Sequence, residues 1–178
     1  MITLVLGGAR SGKSRYAEEL ALSRPPPRLY LATAEAHDAE MAERIREHRQ
    51  RRAGHWTTLE EPLALAEALR RQGADPATTL LVDCLTLWLA NLIGAGRDVG
   101  AASAELIAAC AAVRGEVILV STEVGLGIVP DNALARAFRD HAGRLHQAVA
   151  AQADRVVFVA AGLPLTLKAP VEPLSNPA

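Results

Sequence analysis

The sequence predicts an α/β fold in which a mainly parallel sheet is covered by helices on both faces. Short apolar runs alternate with longer stretches of helical periodicity along the chain of 178 residues. The runs are hydrophobic at successive positions, which is typical of strands that are buried on both faces. Glycine- and proline-containing segments separate many of these elements, and none of the runs reaches the ~18 apolar residues of a membrane span.

Each element follows from its own composition. Strands are predicted over five apolar runs: Ile2–Leu6, Leu29–Thr33, Leu80–Asp83, Val117–Ser121 and Val156–Ala160. Helices are predicted over six periodic segments: Ser14–Ser23, Asp38–Arg52, Pro62–Gln72, Thr86–Ile93, Ala101–Val113 and Asn132–Gln152. Strands that alternate with helices in this way form parallel sheets.

The residues between the elements support these boundaries. Pro25–Pro27 end the first helix, Asp38 can cap the second, and Pro62 stands near the start of the third. Gly94–Gly100 is predicted to be a flexible loop. One domain is therefore predicted over residues 1–169, and the aperiodic segment 170–178 is predicted to be a disordered tail.

Composition excludes several classes of protein. The net charge is −1 and only 3% of residues are aromatic, which argues against binding to nucleic acid or to an anionic membrane. The N-terminal segment has no basic region before its apolar run, so it is interpreted as a buried strand and not as a signal peptide. Cys84 and Cys110 form no metal-binding pattern, so two reduced thiols in a cytoplasmic protein are expected.

The most specific motif is GGARSGKS at residues 7–14, which matches the G-x4-G-K-S/T pattern of a phosphate-binding loop. Glycines allow a tight turn whose N–H groups point at phosphate oxygens, and the following helix N-terminus adds positive charge. Lys13 is expected to reach the β- and γ-phosphates, and the Ser14 hydroxyl is expected to bind Mg²⁺. Lys13 and Lys168 are the only lysines among 19 basic residues, which tells against a chance match.

A second metal ligand is expected at the end of a buried strand. Asp83 ends the run TLLVD and is the first candidate; Glu123, which follows VILVST, is another. An aspartate at this position can also cap the helix that follows it. The sequence leaves these interpretations open.

His48 lies on the predicted helix Asp38–Arg52, on the same face as Met41 and Ile45. Its arginine-rich surroundings are compatible with a solvated helix face, a nucleic-acid patch or a nucleophile beside phosphates. In the last case a neutral imidazole would attack phosphorus and form a covalent intermediate. Spacing alone does not choose between these three interpretations.

Five motifs together resemble one family: GGARSGKS, EMAERIREHR, HWTTLEEP, LLVDCLT and STEVGLGIVP. The family is the bifunctional adenosylcobinamide kinase/adenosylcobinamide-phosphate guanylyltransferase of cobalamin biosynthesis, and the resemblance extends over about residues 2–160. It implies a RecA-like fold, a homotrimer and two reactions. A nucleoside triphosphate, ATP or GTP, phosphorylates the corrinoid adenosylcobinamide, and GTP then donates GMP through a histidine adduct.

The resemblance also implies site residues. His48 would be the guanylylated histidine and Lys13 would act in catalysis. Nucleotide-binding positions would be Gly7, Gly8, Ala9, Arg10, Ser11, Gly12, Lys13, Ser14, Ala32, Thr33, Ala34, Arg49, Gln50, Arg51, Arg52, Glu60 and Asp83, with Ser14 and Asp83 holding Mg²⁺. Thr122 stands where the family commonly has asparagine, and this departure leaves the role of Glu123 open.

Other features have more than one interpretation. VGLGIVP is either a loop over the corrinoid site or a tight connection between a strand and a helix. His55 and Trp56 are interpreted as a packed turn. The alternative functions are a small-molecule kinase without guanylyl transfer and a RecA-like ATPase that grips nucleic acid.

Overall fold

The computed structural model of the protein describes residues 1–35, 43, 46, 54 and 56–170. The strands of this part are β1 (Ile2–Gly7), β2 (Arg28–Ala32), β3 (Thr57–Glu60), β4 (Thr79–Asp83), β5 (Glu116–Thr122), β6 (Arg155–Ala160) and β7 (Leu163–Lys168). The helices of this part whose two ends are both defined are α1 (Lys13–Leu22), α2 (Leu65–Gln72), α3 (Leu85–Gly94), α4 (Val99–Ala112) and α5 (Ala133–Gln152).

The strands form one sheet in the order β3-β2-β4-β5-β1-β6-β7. Every neighbouring pair is parallel except β6 and β7, which are antiparallel. The predicted mainly parallel sheet is therefore confirmed. The central strands β1, β4 and β5 are buried along nearly their whole length, as their continuous apolar runs predict.

Helices cover both faces of this sheet. One apolar cluster joins Val5 and Ile118 to Ala17 and Ala21 of α1. The other cluster contains Leu4 and its neighbours in the sheet together with buried residues of α2, α3, α4 and α5. Adjacent residues of β1 thus point to opposite faces, and each face is closed by its own helices.

Two strands are not predicted from the sequence. β3 has the composition TTLE, in which Leu59 alone is apolar, and it lies at one edge of the sheet. β7 lies at the other edge and is exposed at all six positions. Neither strand has the long apolar run that marks the buried strands, because neither is buried on both faces.

The boundaries of the five helices in the described residues whose two ends are defined differ from the predicted ones by three residues or fewer. α2 begins at Leu65 and not at Pro62, because the Glu61 carboxylate accepts hydrogen bonds from the N–H groups of Leu63 and Ala64 before the helix starts. Asn132 caps α5 by accepting from the N–H of Ala135, which confirms the predicted start.

Most of the predicted helix Asp38–Arg52 lies outside the described residues, as do residues 171–178. Glu43 and Arg46 are described; both are helical and they form an ion pair. No helix in the described ranges is long and apolar enough to cross a bilayer. Cys84 and Cys110 are buried free thiols, as expected, and burial raises the pKa of Cys110 to about 12.

Candidate active site

The P-loop, residues Gly7–Ser14, connects β1 to α1 at the carboxyl edge of the sheet. The Lys13 Nζ donates to the backbone oxygen of Gly8 at 3.1 Å, and the Ser11 N–H donates to the same oxygen at 3.3 Å. The lysine side chain therefore lies across the loop in which a phosphate would sit. The first N–H groups of α1 have no acceptor within the helix and supply the donors of an anion site.

Backbone conformation explains the glycines of this loop. Gly12 precedes α1 with φ 95° and ψ 2°, a left-handed conformation that side chains rarely adopt. A Cβ on Gly7 would come within 2.5 Å of both the Ser11 Oγ and the Val159 backbone oxygen. Arg10 also has a positive φ, of 54°. The turns at these residues are what directs successive N–H groups into one concavity.

The turn between β6 and β7 supports the P-loop from outside. The Gly162 N–H donates to the Ser11 backbone oxygen at 2.8 Å. A Cβ on Gly12 would be 3.2 Å from the Gly162 Cα. The loop is thus packed against the antiparallel edge of the sheet as well as against its own helix.

Asp83 ends β4, two strands from the P-loop strand in the sheet order. Its Oδ2 accepts a hydrogen bond of 2.8 Å from the Tyr30 hydroxyl, which fixes the direction of the carboxylate. The residue that precedes α3 is Cys84, which makes no side-chain cap, so Asp83 is not the N-cap of that helix. The cap interpretation of Asp83 is therefore wrong.

Thr33 connects the end of β2 to the residue after Asp83. Its buried hydroxyl accepts from the Cys84 N–H and donates to the Cys84 backbone oxygen, both at 2.8 Å. The Cys84 thiol is buried and lies 3.5 Å from the Thr86 hydroxyl. Burial, and secondarily the charge of Asp83, raises the pKa of this thiol, which is therefore a neutral packing group.

A sequence model of the cobinamide kinase/cobinamide phosphate guanyltransferase family matches residues 3–167. The chain belongs to this family. It is 52% identical over 176 residues to the bifunctional adenosylcobalamin biosynthesis protein CobP of Pseudomonas aeruginosa, covering 98% of this chain and 100% of the relative. It is 42% identical to CobU of Escherichia coli, covering 94% of this chain and 100% of the relative. The predicted family, a family of bifunctional enzymes, is confirmed.

Solved structures extend the agreement to the fold. An ATPase of a bacterial type III secretion system matches with a TM-score of 0.52 and 14% identity, over 93% of this chain and 56% of that chain. The RadB recombinase matches with a TM-score of 0.51 and 13% identity, over 88% and 73% of the two chains. These similarities confirm the predicted RecA-like α/β fold.

The sheet brings some of the predicted family site residues together and separates others. The P-loop follows β1, Ala32–Ala34 lie at the end of β2, and Asp83 ends β4, all at the carboxyl edge. Glu60 ends β3, four strand positions from β1, or about 19 Å at ~4.8 Å per strand. His48 and the four residues Arg49, Gln50, Arg51 and Arg52 lie outside the described residues, so their roles stay predictions.

Two further groups in this region are not predicted from the sequence. Tyr30, which orients Asp83, also packs its ring edge-to-face on Trp56, with ring centroids 5.7 Å apart. His146 on α5 is buried and lies between Ser121 and Glu123. Its place in the buried helix stripe of Ala142, Leu145 and Val149 is the signal that could have marked it.

Proposed function

We propose that this chain phosphorylates adenosylcobinamide and then converts the product to adenosylcobinamide-GDP with GTP, and that these are two consecutive reactions of cobalamin biosynthesis. The observation that carries the proposal is the folded P-loop, with Lys13 across it, in a chain that belongs to the cobinamide kinase/cobinamide phosphate guanyltransferase family. The two curated relatives, at 52% and 42% identity, are both named as bifunctional proteins of adenosylcobalamin biosynthesis.

The first reaction is a γ-phosphoryl transfer from ATP or GTP. The oxygen of the substrate alcohol attacks the γ-phosphorus, the bond to the β–γ bridging oxygen breaks, and a nucleoside diphosphate leaves. Lys13 and the N–H groups of the P-loop neutralise the phosphate charge that shifts in this step. No covalent enzyme intermediate is required.

The second reaction needs attack at a different phosphorus atom. A neutral nitrogen of His48 attacks the α-phosphorus of GTP, pyrophosphate leaves, and a phosphoramidate forms. The phosphate group of the corrinoid then attacks that phosphorus, the P–N bond breaks and free His48 is regenerated. The arginines that follow His48 in the sequence supply positive charge for the triphosphate.

Ser14 and Asp83 are proposed to hold Mg²⁺. A serine hydroxyl and a carboxylate are the hard oxygen ligands that Mg²⁺ prefers. The Oδ2 of Asp83 accepts from Tyr30, and the carboxylate has further lone pairs for a metal. When bound, the ion supplies neutralisation of the triphosphate charge.

Assembly and location belong to the same proposal. Leu163, Leu165 and Leu167 are 72%, 61% and 59% exposed on one edge strand, and association into the homotrimer of the family would cover such a surface. Light scattering after size exclusion tests this trimer.

Two buried free thiols support a cytoplasmic location.

The deciding experiment for bifunctionality uses GTP labelled at either the α- or the γ-phosphate. We expect α-label to become covalently attached with release of pyrophosphate, in a bond that is labile in acid and stable in base. γ-Label should not attach. His48→Ala should lose the adduct and the guanylyl transfer but keep kinase activity, whereas the matched control His141→Ala on α5 should keep all three.

The alternative is a small-molecule kinase without guanylyl transfer. An adduct that persists in His48→Ala would contradict the assignment of His48. The absence of any adduct in the presence of GTP and Mg²⁺ would favour the kinase alone. Kinase activity is required under both candidate functions, but only the first requires adenosylcobinamide as the acceptor.

A further inference from the structure

Glu123 stands beside the P-loop at the carboxyl edge of the sheet. β5 lies between β1 and β4, and its last residue, Thr122, is in register with Gly7. The Glu123 N–H donates to the Gly7 backbone oxygen at 3.0 Å. Its strand is thus the direct neighbour of the P-loop strand, at about 4.8 Å, whereas Asp83 is one strand further away.

Both carboxylate oxygens of Glu123 contact other groups of the protein. Oε1 accepts from the Gly125 N–H, and Oε2 lies 3.5 Å from the Nδ1 of His146. The Glu123 side chain is still 22% exposed, while the His146 side chain is 8% exposed. Each oxygen can accept a further hydrogen bond. The protein therefore holds the carboxylate in one orientation and still leaves it able to accept a proton from a bound substrate.

His146 is itself fixed by a second partner. Its Nε2 lies 2.7 Å from the Ser121 Oγ, which is completely buried. Burial lowers the pKa of His146, against a smaller raising effect of Glu123, so the imidazole is neutral near pH 7. With its proton on Nδ1, the ring faces the Glu123 Oε2 with a polar N–H across 3.5 Å, and its Nε2 accepts from the Ser121 hydroxyl.

Serine, histidine and glutamate in this order resemble the arrangement of a hydrolase triad. The burial of Ser121 excludes that role, because no substrate can reach its hydroxyl. The accessible group of the three is the carboxylate. The chemistry of this cluster therefore has to be that of an oriented carboxylate beside phosphates.

We propose that Glu123 is the general base of the kinase step and that His146 is its positioning residue. The proposal rests on the proposed function and adds the acceptor of the substrate proton. As the alcohol oxygen of adenosylcobinamide bonds to the γ-phosphorus, its O–H proton passes to the Glu123 carboxylate. The bond between the γ-phosphorus and the bridging oxygen breaks, and the nucleoside diphosphate leaves with that electron pair.

The two reactions differ in their need for such a base. An alcohol must lose a proton when it becomes a phosphate ester, and protein kinases use a carboxylate for this purpose. A neutral imidazole and the phosphate group of the corrinoid are nucleophiles that attack through lone pairs without an alcohol proton to remove. Loss of the base should therefore affect phosphorylation far more than guanylyl transfer.

Glu123→Gln is the direct test, because the amide keeps the size of the side chain and its acceptor for Gly125. We expect the kinase kcat to fall ~100-fold or more, the usual worth of a general base. Transfer of GMP to preformed adenosylcobinamide phosphate should fall less than fivefold. Glu105→Gln, on an exposed position of α4, is the matched control and should leave both rates unchanged.

Three outcomes would overturn the assignment. They are a kinase kcat within fivefold of wild type, an equal loss of both activities, and a loss that excess Mg²⁺ restores, which would make Glu123 a metal ligand. Glu123→Asp, which keeps the carboxylate, should recover part of the kinase activity. If wild type does not phosphorylate adenosylcobinamide at all, the proposed function fails first and this inference falls with it.

A double-mutant cycle tests the role of His146. His146→Gln should lower the kinase kcat about tenfold with little change in the KM for the nucleotide. In the Glu123→Gln background the same change should have almost no further effect, since His146 acts through that carboxylate. Additive losses would show that His146 supports only the fold.

Discussion

Thr33→Val should destabilise the protein without impairing its use of nucleotide. The Thr33 side chain is completely buried, and its hydroxyl makes two hydrogen bonds of 2.8 Å to the backbone of Cys84. Valine has the same shape and lacks the hydroxyl. The Cys84 N–H would then lose its acceptor inside the protein, while the Cys84 oxygen would keep the Trp88 N–H, at 3.1 Å.

The expected loss follows from this difference between the two groups. An orphaned buried N–H costs about 1–3 kcal/mol, and a bond to a carbonyl that keeps another donor is worth about 1 kcal/mol. The free energy of unfolding should therefore fall by about 3 kcal/mol. For a chain of this length a loss of that size lowers Tm by roughly 6–12 °C.

Urea and thermal unfolding, monitored by circular dichroism, measure this loss. Thr33→Ser is the control: it keeps the hydroxyl and removes one methyl group, which costs about 1 kcal/mol. The family resemblance predicts Thr33 among the nucleotide-binding positions, but its hydroxyl is committed to Cys84. The KM of Thr33→Val for GTP, measured well below its Tm, should thus change less than threefold. Equal stability of the valine and serine variants would refute this reasoning.

Three other predictions concern the site. Lys13→Ala should lower kinase turnover at least ~100-fold and weaken nucleotide binding, because the phosphates lose a fixed cation; Lys13→Arg should fail as well, since a planar guanidinium does not replace a compact ammonium. Wild-type turnover of either variant would contradict the P-loop assignment. Asp83→Asn should lower turnover at least ~10-fold. It should lower the free energy of unfolding by only about 1 kcal/mol, because asparagine still accepts from Tyr30. Activity as a function of Mg²⁺ concentration measures the first effect, and urea unfolding measures the second. The folded state disfavours protonated His146, whereas the unfolded imidazole binds a proton below about pH 6.5. The contribution of His146 to stability should therefore be full at pH 7.5 and decline as pH falls below about 6.5, so the stability difference between wild type and His146→Gln should shrink at pH 5.5.

The buried part of the fold could be predicted because burial leaves a mark on composition. The strand at Val117–Ser121 and the others of the sheet centre must be apolar on both faces, so they stand out in the sequence. β7 carries Leu163, Leu165 and Leu167 at the two-residue period of a strand, but all three are exposed. Burial on both faces, the criterion that found the other strands, therefore does not find it.

The site could be predicted to a different extent. The P-loop is encoded in one contiguous segment, so its pattern alone identifies Gly7–Ser14. The bond from Tyr30 to Asp83 joins residues 53 apart in sequence, and that from His146 to Ser121 joins residues 25 apart. Such pairs are set by the order of strands and by helix packing, which no local pattern contains.

The buried, hydrogen-bonded side chains of Thr86, Ser121 and His146, near the carboxyl edge of the sheet, have an evolutionary consequence. The Thr86 hydroxyl accepts from the Thr122 N–H and lies 3.4 Å from the Ser121 hydroxyl, which in turn contacts His146. Replacing one member leaves its neighbours with unmet partners, so a change at one position is tolerated best when a second change restores those partners. Whether a substitution at Thr86, Ser121 or His146 is tolerated should therefore depend on which residues occupy the other two positions. Among descendants of a common ancestor these positions should change together or not at all.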